Sequence, residues 1–194
     1  PYTTLFRSGA FMKNMQDAEK LAEEMVKIGS LAGRNTIAVI SDMDEPLGLA
    51  VGNALEVAEA VKTLKKEGPE DLINLCLELG TQMLIASKVE ENADKARGML
   101  QNSIDDGSAY NKFLEFIKRQ GGDITVFDDL DEFTECNYKI EVKADKEGYV
   151  QRIESELIGE ASMILGGGRM TKEDVIDYSV GVKLSAKRGD YVKC

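Results

Sequence analysis

A segment with the residue types of a binding site lies at residues 41–61, which read SDMDEPLGLAVGNALEVAEAV. Its first half holds Asp42, Asp44 and Glu45 beside Pro46 and Gly48, without a lysine, arginine or histidine. Carboxylate oxygens bind hard cations, so these three acids could form a magnesium cluster. The alternative is a plain acidic turn in water, and the residues alone leave both interpretations open.

The histidine and cysteine content limits the acid/base and metal chemistry that the chain could perform. The chain has no histidine, so it lacks the commonest general base and metal ligand. Its three cysteines, Cys76, Cys136 and Cys194, are odd in number and widely spaced, which argues against a disulfide framework or a metal cluster. Cys76 lies among apolar helical positions and is expected in the core.

Charge and hydropathy exclude several kinds of partner. The net charge is −11, and the acidic residues are spread along the chain, so electrostatic repulsion opposes binding to nucleic acid and to anionic membranes. No apolar run approaches the roughly 20 residues of a membrane helix, and no signal-peptide pattern opens the chain. We expect a cytoplasmic protein without a nucleic-acid or membrane partner.

The elements around the acidic segment follow an α/β pattern. Apolar residues recur at helical spacing from Met15 to Val26, and Gly33 follows as a stop signal. Residues 36–40, TIAVI, are β-branched and unbroken, which predicts a strand buried on both faces of a parallel sheet. Helix, buried strand, loop and helix in this order predict an α/β domain with flanking helices.

Four more helices are predicted downstream. Asn53 and Glu56 have capping-box spacing, so one helix should begin near Ala54 and end by Gly68. Pro69 suits the first turn of the next helix. The others are expected at residues 93–104 and 108–119, followed by a surface connection at DDLDEF. The inward positions predicted for the helix after Pro69 are Leu72, Leu75, Cys76, Leu79 and Met83.

The pattern changes after Cys136, and we place a domain boundary near Tyr138. Residues 138–144 alternate as a strand, ESELIGEASMILGGG predicts a short helix, and the remainder is rich in strands. The segments DKEGYVQRI and KRGDYVKC have the turn-and-strand pattern of barrel-sandwich hybrids such as lipoyl carriers. A carrier would need a lysine at a hairpin tip, and none lies in such a context, so we expect a small α+β domain of barrel-sandwich-hybrid type.

Several long motifs together resemble the bacterial pyrimidine-nucleoside phosphorylase family. They are GAFMK (9–13), SDMDEPLGLAVGNALEV (41–57), EGPEDL (67–72), QGGD (120–123) and LGGGRMTKEDVIDYSVGV (165–182). The resemblance covers residues 9–194 in unbroken order, whereas residues 1–8 do not match and could be an artefact. It implies that residues 9–137 are the C-terminal part of the family's α/β domain and that residues 138–194 are its C-terminal domain, truncated.

The resemblance implies phosphorolysis of uridine, thymidine and deoxyuridine by inorganic phosphate, giving the free base and a pentose 1-phosphate. The enzyme would be a pentosyltransferase that acts as a homodimer in pyrimidine salvage. In the family, the phosphate loop and the side chains that hold the pyrimidine precede GAFMK. We therefore expect the chain to be a fragment without catalytic residues, inactive by itself.

The resemblance also assigns a role to the acidic segment. It implies a potassium ion held by the main-chain carbonyls of Leu47 and Ala50 and by the side chain of Glu59. A monovalent cation favours oxygen dipoles over a cage of acids, and a Pro/Gly loop can turn carbonyls inward. Glu59 follows Glu56 by about one turn of the helix, and its Cβ leans toward the N-terminus and the loop.

The remaining candidates are weaker. Phe11 matches an aromatic residue that lies against the pyrimidine in the family, although core packing explains it as well. Lys13 could approach the substrate, but a solvated lysine is the simpler interpretation. GGGR, at residues 166–169, closes a helix rather than opening one, so we expect a turn there, with Arg169 at most in a dimer or interdomain contact.

Two classes of alternative function stay open at this level. One is a strict thymidine phosphorylase, or a related AMP phosphorylase or phosphoribosyltransferase with the same architecture. The other is a binding or scaffold module without enzymatic activity.

Overall fold

The computed structural model describes residues 14–194, a mixed α/β chain in which helices predominate. The α-helices in this range are α1 (Met15–Leu31), α2 (Asn53–Leu64), α3 (Glu70–Ala86), α4 (Ala93–Asp105), α5 (Ser108–Arg119), α6 (Leu130–Phe133) and α7 (Ser155–Ser162). The strands are β1 (Ala50–Val51), β2 (Gly148–Tyr149), β3 (Val182–Lys183) and β4 (Tyr191–Val192). A 3₁₀ turn at Thr125–Phe127 and a π turn at Met163–Gly167 complete the regular structure of this range.

The predicted helix starts have identifiable caps. Asn14 accepts the N–H of Asp17 at the start of α1, and Asn92 accepts the N–H of Lys95 at the start of α4. Each side chain satisfies a backbone donor that has no partner within its helix. These helices therefore begin where the sequence pattern predicts.

The start of α2 differs in detail from the predicted capping box. Glu56 does reach back, but it accepts the N–H of Gly52 at 3.0 Å, and Gly52 occupies the cap position. Asn53 makes no capping hydrogen bond; its amide donates to the carbonyl of Gly167 at 2.8 Å. A contact with a residue distant in sequence has replaced the local one.

The buried residues of the described range are mostly small. Helix α3 packs on α4, where a Cβ on Gly80 would lie 2.7 Å from Cδ1 of Leu100, so the helices approach closely. An aromatic cluster joins α5, the 3₁₀ turn and α6, with ring centroids of Phe113 and Phe133 at 5.1 and 5.5 Å from that of Phe127. The buried hydrophobic residues are Ala18, Ala22, Ala50, Ala54, Ala58, Val61, Leu77, Ala96 and Phe127.

The predicted parallel sheet is wrong for the described residues. Their strands form two antiparallel pairs, β1 with β3 and β2 with β4. Residues 36–40 make no strand ladder, and Ile37 is 40% exposed. An apolar β-branched run indicates that a segment fits a sheet, but a strand also needs a neighbour for its N–H and C=O groups, and these residues have none within the described range.

The predicted strand at residues 138–144 is wrong for the same reason. Tyr138, Ile140 and Val142 alternate as expected, yet they are between 87% and 91% exposed and outside any ladder. By contrast, the two predicted turn-and-strand segments pair with each other, since Tyr149 lies opposite Tyr191 with ring centroids 5.1 Å apart. The barrel-sandwich architecture itself stays a prediction.

Two smaller predictions also need correction. On α3, Leu77 and Thr81 are buried, whereas Cys76 and Met83 are exposed. Flanking apolar atoms nevertheless raise the pKa of the Cys76 thiol by desolvation. The DDLDEF segment is not a plain connection, because Asp129 caps the short helix α6 by accepting N–H groups of Asp131 and Glu132.

Candidate functional site

The acidic loop, defined here as residues 42–50, ends at the first residue of β1 and contacts the side chain of Glu59 on α2. The Glu59 carboxylate accepts the N–H of Leu49 at 3.0 Å through Oε1 and at 3.2 Å through Oε2. It also accepts the N–H of Ala50 at 3.3 Å through Oε2. Glu59 therefore reaches back to the loop, as its position in the second turn of α2 allows.

Gly48 makes room for this carboxylate. Its φ of +70° lies in the left-handed region that glycine adopts without strain. A Cβ at this position would lie 2.1 Å from Oε2 of Glu59. Both the backbone conformation and the close approach of the carboxylate therefore require glycine.

The hydrogen bonds of the loop fix the direction of its carbonyls. The N–H and C=O of one trans peptide point in opposite directions. The N–H of Gly48 donates to Oδ2 of Asp71 at 3.0 Å, so the carbonyl of Leu47, in the same peptide, points away from Asp71. The N–H of Leu49 donates to Glu59, so the carbonyl of Gly48 points away from Glu59.

The pairing of β1 determines the direction of the Ala50 carbonyl. Ala50 lies opposite Lys183, and the N–H of Leu184 donates to the carbonyl of Leu49 at 2.7 Å. Bonded and non-bonded pairs alternate in an antiparallel ladder, so the N–H and C=O of Ala50 both face away from β3. Its N–H meets Glu59 on that side, and its carbonyl therefore shares a side of the strand with the Glu59 carboxylate.

A lysine from the C-terminal segment occupies the opposite side of the loop. The Lys187 ammonium donates to the carbonyl of Pro46 and, at 3.0 Å, to that of Gly48, and it lies 3.1 Å from Oδ2 of Asp71. The Lys187 side chain is only 19% exposed. Burial opposes ionisation of Asp71, but the hydrogen bonds from Lys187 and from the N–H groups of Gly48 and Leu72 outweigh it and lower the Asp71 pKa.

Arg188, which follows Lys187, contacts all three acids of the loop. The guanidinium of Arg188 lies 3.3 Å from Oδ2 of Asp42 and 3.5 Å from Oδ2 of Asp44. Its backbone N–H donates to Oε2 of Glu45 at 2.8 Å. Within residues 14–194, no three acidic, cysteine or histidine side chains are grouped so that they could hold a metal ion, which argues against the magnesium alternative.

The C-terminal segment also holds the start of α2. The N–H of Ala54 donates to the carbonyl of Tyr178 at 3.1 Å. A Cβ on Gly52 would lie 2.6 Å from the carbonyl oxygen of Val180, and a Cβ on Gly181 would lie 2.4 Å from that of Val51. The two backbones approach so closely that neither glycine leaves space for a side chain.

Sequence reasoning missed Lys187 and Arg188. The available signal was an acidic loop without a local cation and a basic pair in the turn KRGD, which follows about 140 residues later. Opposite charges at such separation have many candidate partners, so only the fold identifies the pair.

The other sequence candidates have different outcomes. Phe11 and Lys13 lie outside the described residues. The GGGR segment closes a helix, as predicted, since α7 runs into the π turn and Gly166 has a φ of +106°. Arg169 is exposed, and its predicted dimer or interdomain contact stays a prediction.

A separate cavity of about 310 Å³ lies between the first turn of α2 and α7. Its wall includes Glu56, but that carboxylate already accepts the N–H of Gly52, and glycines and apolar side chains form much of the remainder. We therefore place the candidate site in the acidic loop. None of the helices in residues 14–194 is both long and apolar enough to cross a membrane.

Two family models match the chain. The model described as the glycosyl transferase family, a/b domain, matches residues 4–110, and the pyrimidine nucleoside phosphorylase C-terminal domain matches residues 149–194. Over 186 residues, the chain is 54% identical to the pyrimidine-nucleoside phosphorylase of Staphylococcus aureus strain bovine RF122 / ET3-1 and 53% identical to that of strain USA300. These alignments cover 96% of the chain but only 43% of each relative.

Proposed function

Because the chain belongs to the glycosyl transferase family that this a/b-domain model describes, we propose that it supplies the cation-binding part of a pyrimidine-nucleoside phosphorylase. The similarity to the two Staphylococcus aureus enzymes along nearly the whole chain supports this proposal. The chain also contains the region that matches the C-terminal domain of such enzymes.

The proposed reaction transfers a pentosyl group from a pyrimidine to phosphate. An oxygen of inorganic phosphate bonds to C1′ while the bond from C1′ to the pyrimidine nitrogen breaks and its electrons leave with the base. Protonation of the base gives uracil or thymine, and the sugar leaves as a pentose 1-phosphate. Uridine, thymidine and deoxyuridine are the proposed nucleoside substrates, and the residues that hold them are proposed to lie outside the described range.

We assign the acidic loop to a potassium ion. The proposed ligands are the carbonyls of Leu47 and Ala50 and the carboxylate of Glu59. Two features support this assignment: the Leu47 carbonyl points away from the Lys187 and Asp71 pair, and the Ala50 carbonyl shares a side of β1 with Glu59. A carboxylate has about four acceptor positions, so Glu59 retains acceptor capacity beyond its backbone contacts.

The observation that carries the proposal is the contact between Glu59 and the loop. It brings one formal negative charge to a backbone turn held by glycine and by backbone hydrogen bonds. A bound potassium ion would supply fixed positive charge, which favours the ordering of a neighbouring phosphate-binding segment.

A chimera tests the activity directly. The part of the Staphylococcus aureus enzyme that precedes the alignment would be joined to residues 9–194 of this chain, and the intact Staphylococcus aureus enzyme would be the positive control. We expect uracil and ribose 1-phosphate to form from uridine only when phosphate is present. Thymidine and AMP, in parallel reactions, separate the proposed function from a strict thymidine phosphorylase and an AMP phosphorylase.

A folded chimera that leaves uridine intact would contradict the proposal. The 194-residue chain itself is expected to release no uracil, because the residues proposed to hold the phosphate and the base belong to the part of the relatives that it does not match. Uracil release by this chain would contradict the proposal that the residues holding phosphate and base lie in that other part.

A further inference from the structure

Lys187 contacts the same loop for which we propose a potassium ion, but on the other side of the backbone. Its ammonium has three oxygen partners, the carbonyls of Pro46 and Gly48 and the carboxylate of Asp71. The lysine comes from the C-terminal segment, 139 residues after Gly48. Lys187 therefore places a fixed positive charge beside the loop, from a part of the chain that is distant in sequence.

We propose that Lys187 is a positioning residue that sets the affinity of the acidic loop for its monovalent cation. This inference rests on the proposed function, since it concerns the same loop. Lys187 itself would contact neither the nucleoside nor the phosphate; it would act through the direction of the loop carbonyls.

Side chains hold three consecutive peptides around Leu47. Lys187 holds the carbonyl of Pro46 in the preceding peptide and that of Gly48 in the following peptide. Asp71 holds the N–H of the peptide between them. With three consecutive peptides fixed, the Leu47 carbonyl has little freedom to rotate, and a ligand that is already oriented costs less entropy to use.

Lys187 and the proposed potassium ion have different oxygen partners in the loop. The carbonyls of Pro46 and Gly48 accept hydrogen bonds from the ammonium, so they point toward Lys187 and not toward Glu59. The Leu47 carbonyl points away from Asp71, and the Ala50 carbonyl points away from β3. The two cations therefore use different carbonyls of one loop and do not compete for oxygens.

Asp71 contacts both the Lys187 ammonium and the N–H of Gly48. Without Lys187, this carboxylate loses its ion-pair partner but keeps the N–H of Gly48. The carbonyls of Pro46 and Gly48 would at the same time lose their shared donor. Peptides that need a new partner can reorient toward water, and the Leu47 carbonyl would turn with them.

The test uses the chimera described above with two substitutions at one position. Lys187→Met removes the charge and keeps an unbranched apolar stem, whereas Lys187→Arg keeps a positive charge. Lys172→Met is the matched control, because Lys172 is an exposed lysine of the same C-terminal segment. For each protein, the rate of uridine phosphorolysis is measured against potassium concentration, and the melting temperature is recorded.

We expect Lys187→Met to raise the half-saturating potassium concentration by about tenfold, because the partly buried loop would lose the charge-assisted hydrogen bonds that orient its carbonyls. Saturating potassium should restore most of kcat, Lys187→Arg should recover part of the affinity, and Lys172→Met should titrate like the unsubstituted chimera. A Lys187→Met protein that keeps the original potassium midpoint, binds potassium more tightly, or loses kcat equally at every potassium concentration would overturn the inference.

A second measurement separates this inference from the proposed function. In the 194-residue chain, hydrogen exchange of the amides of Gly48, Leu49 and Ala50 reports loop order without any activity. We expect Lys187→Met to accelerate exchange at Gly48, and unchanged exchange there would overturn the inference. If the unsubstituted chimera is active without any response to potassium, the proposed ion site fails, whereas a potassium response that Lys187→Met leaves unaltered defeats only the role of Lys187.

Discussion

Replacing Glu59 with glutamine removes the formal charge of the candidate site while keeping the size of the side chain. The structure gives the scale of the effect. The carboxylate accepts the N–H groups of Leu49 and Ala50, and an amide can present only one oxygen to them, so its NH₂ group must face a donor or turn away. A hydrogen bond to a charged group contributes about 1.5–3 kcal/mol, so we expect the free energy of unfolding of the chain to fall by about that amount.

The same substitution should weaken potassium binding in the chimera. Each 1.4 kcal/mol corresponds to about a tenfold change in an equilibrium constant, so a loss in the same range raises the half-saturating potassium concentration by roughly 10- to 100-fold. The KM for phosphate should rise as well, because the ion is proposed to order the phosphate-binding segment. Saturating potassium should recover much of the rate.

The assay is a potassium titration of uridine phosphorolysis, with urea unfolding measured on the same proteins. Glu56→Gln is the matched control: it lies on the same helix, is exposed, and accepts only the N–H of Gly52 at 3.0 Å. We expect it to lose less than about 1.5 kcal/mol of stability and to keep the potassium midpoint. If Glu59→Gln titrates like the unsubstituted chimera, or if its activity falls only in proportion to unfolding, the ion-site assignment is refuted.

Three further substitutions and one pH dependence follow from the structure. Gly48→Ala should lower the free energy of unfolding by at least about 1 kcal/mol and displace Glu59, because φ at this position is +70° and the new Cβ would lie 2.1 Å from Oε2 of Glu59. Urea unfolding measures the first effect and the potassium titration the second. A variant that changes neither would contradict the loop geometry. Gly181→Ala should lower the free energy of unfolding by about 1–3 kcal/mol, because the new Cβ would lie 2.4 Å from the carbonyl oxygen of Val51 and would push β3 away. Gly98→Ala in α4 meets no atom within 4 Å and should raise the free energy of unfolding by about 0.5–1 kcal/mol. Urea unfolding of the two variants measures this contrast, and equal effects would contradict it. Because the pKa of Asp71 is lowered in the folded chain, its contribution to stability is complete above the ordinary value of 3.8 and is lost as the pH falls through the folded-state pKa. Urea unfolding from pH 6 to pH 2 should show this loss in the unsubstituted chain and a smaller loss in Asp71→Asn. Identical pH profiles for the two proteins would contradict the prediction.

The local parts of the fold could be predicted from the sequence. Helices α1, α4 and α5 begin or end within a few residues of the expected positions, because caps, glycines and helical periodicity act over one or two turns. The reach of Glu59 to the loop is local too, since it depends on helix geometry over ten residues.

The non-local parts could not be predicted. The runs at residues 36–40 and 138–144 have strand patterns, but a pattern does not supply a neighbouring strand, and neither run has one in the described range. Burial of Cys76 failed because helical periodicity gives the spacing of an apolar face and leaves open how much of that face a neighbour covers. Lys187 follows β3, which pairs with β1, and no local signal in the sequence specifies this pairing.

The central claim is that the loop beneath Glu59 binds a monovalent cation, and the most direct test locates that ion. Crystals of the chimera grown with rubidium in place of potassium would be measured at the rubidium absorption edge. We expect an anomalous peak within bonding distance of the carbonyl oxygens of Leu47 and Ala50 and of the Glu59 carboxylate, on the side of the loop opposite Lys187. A well-ordered loop with no peak there, or a peak bound elsewhere by other residues, would contradict it.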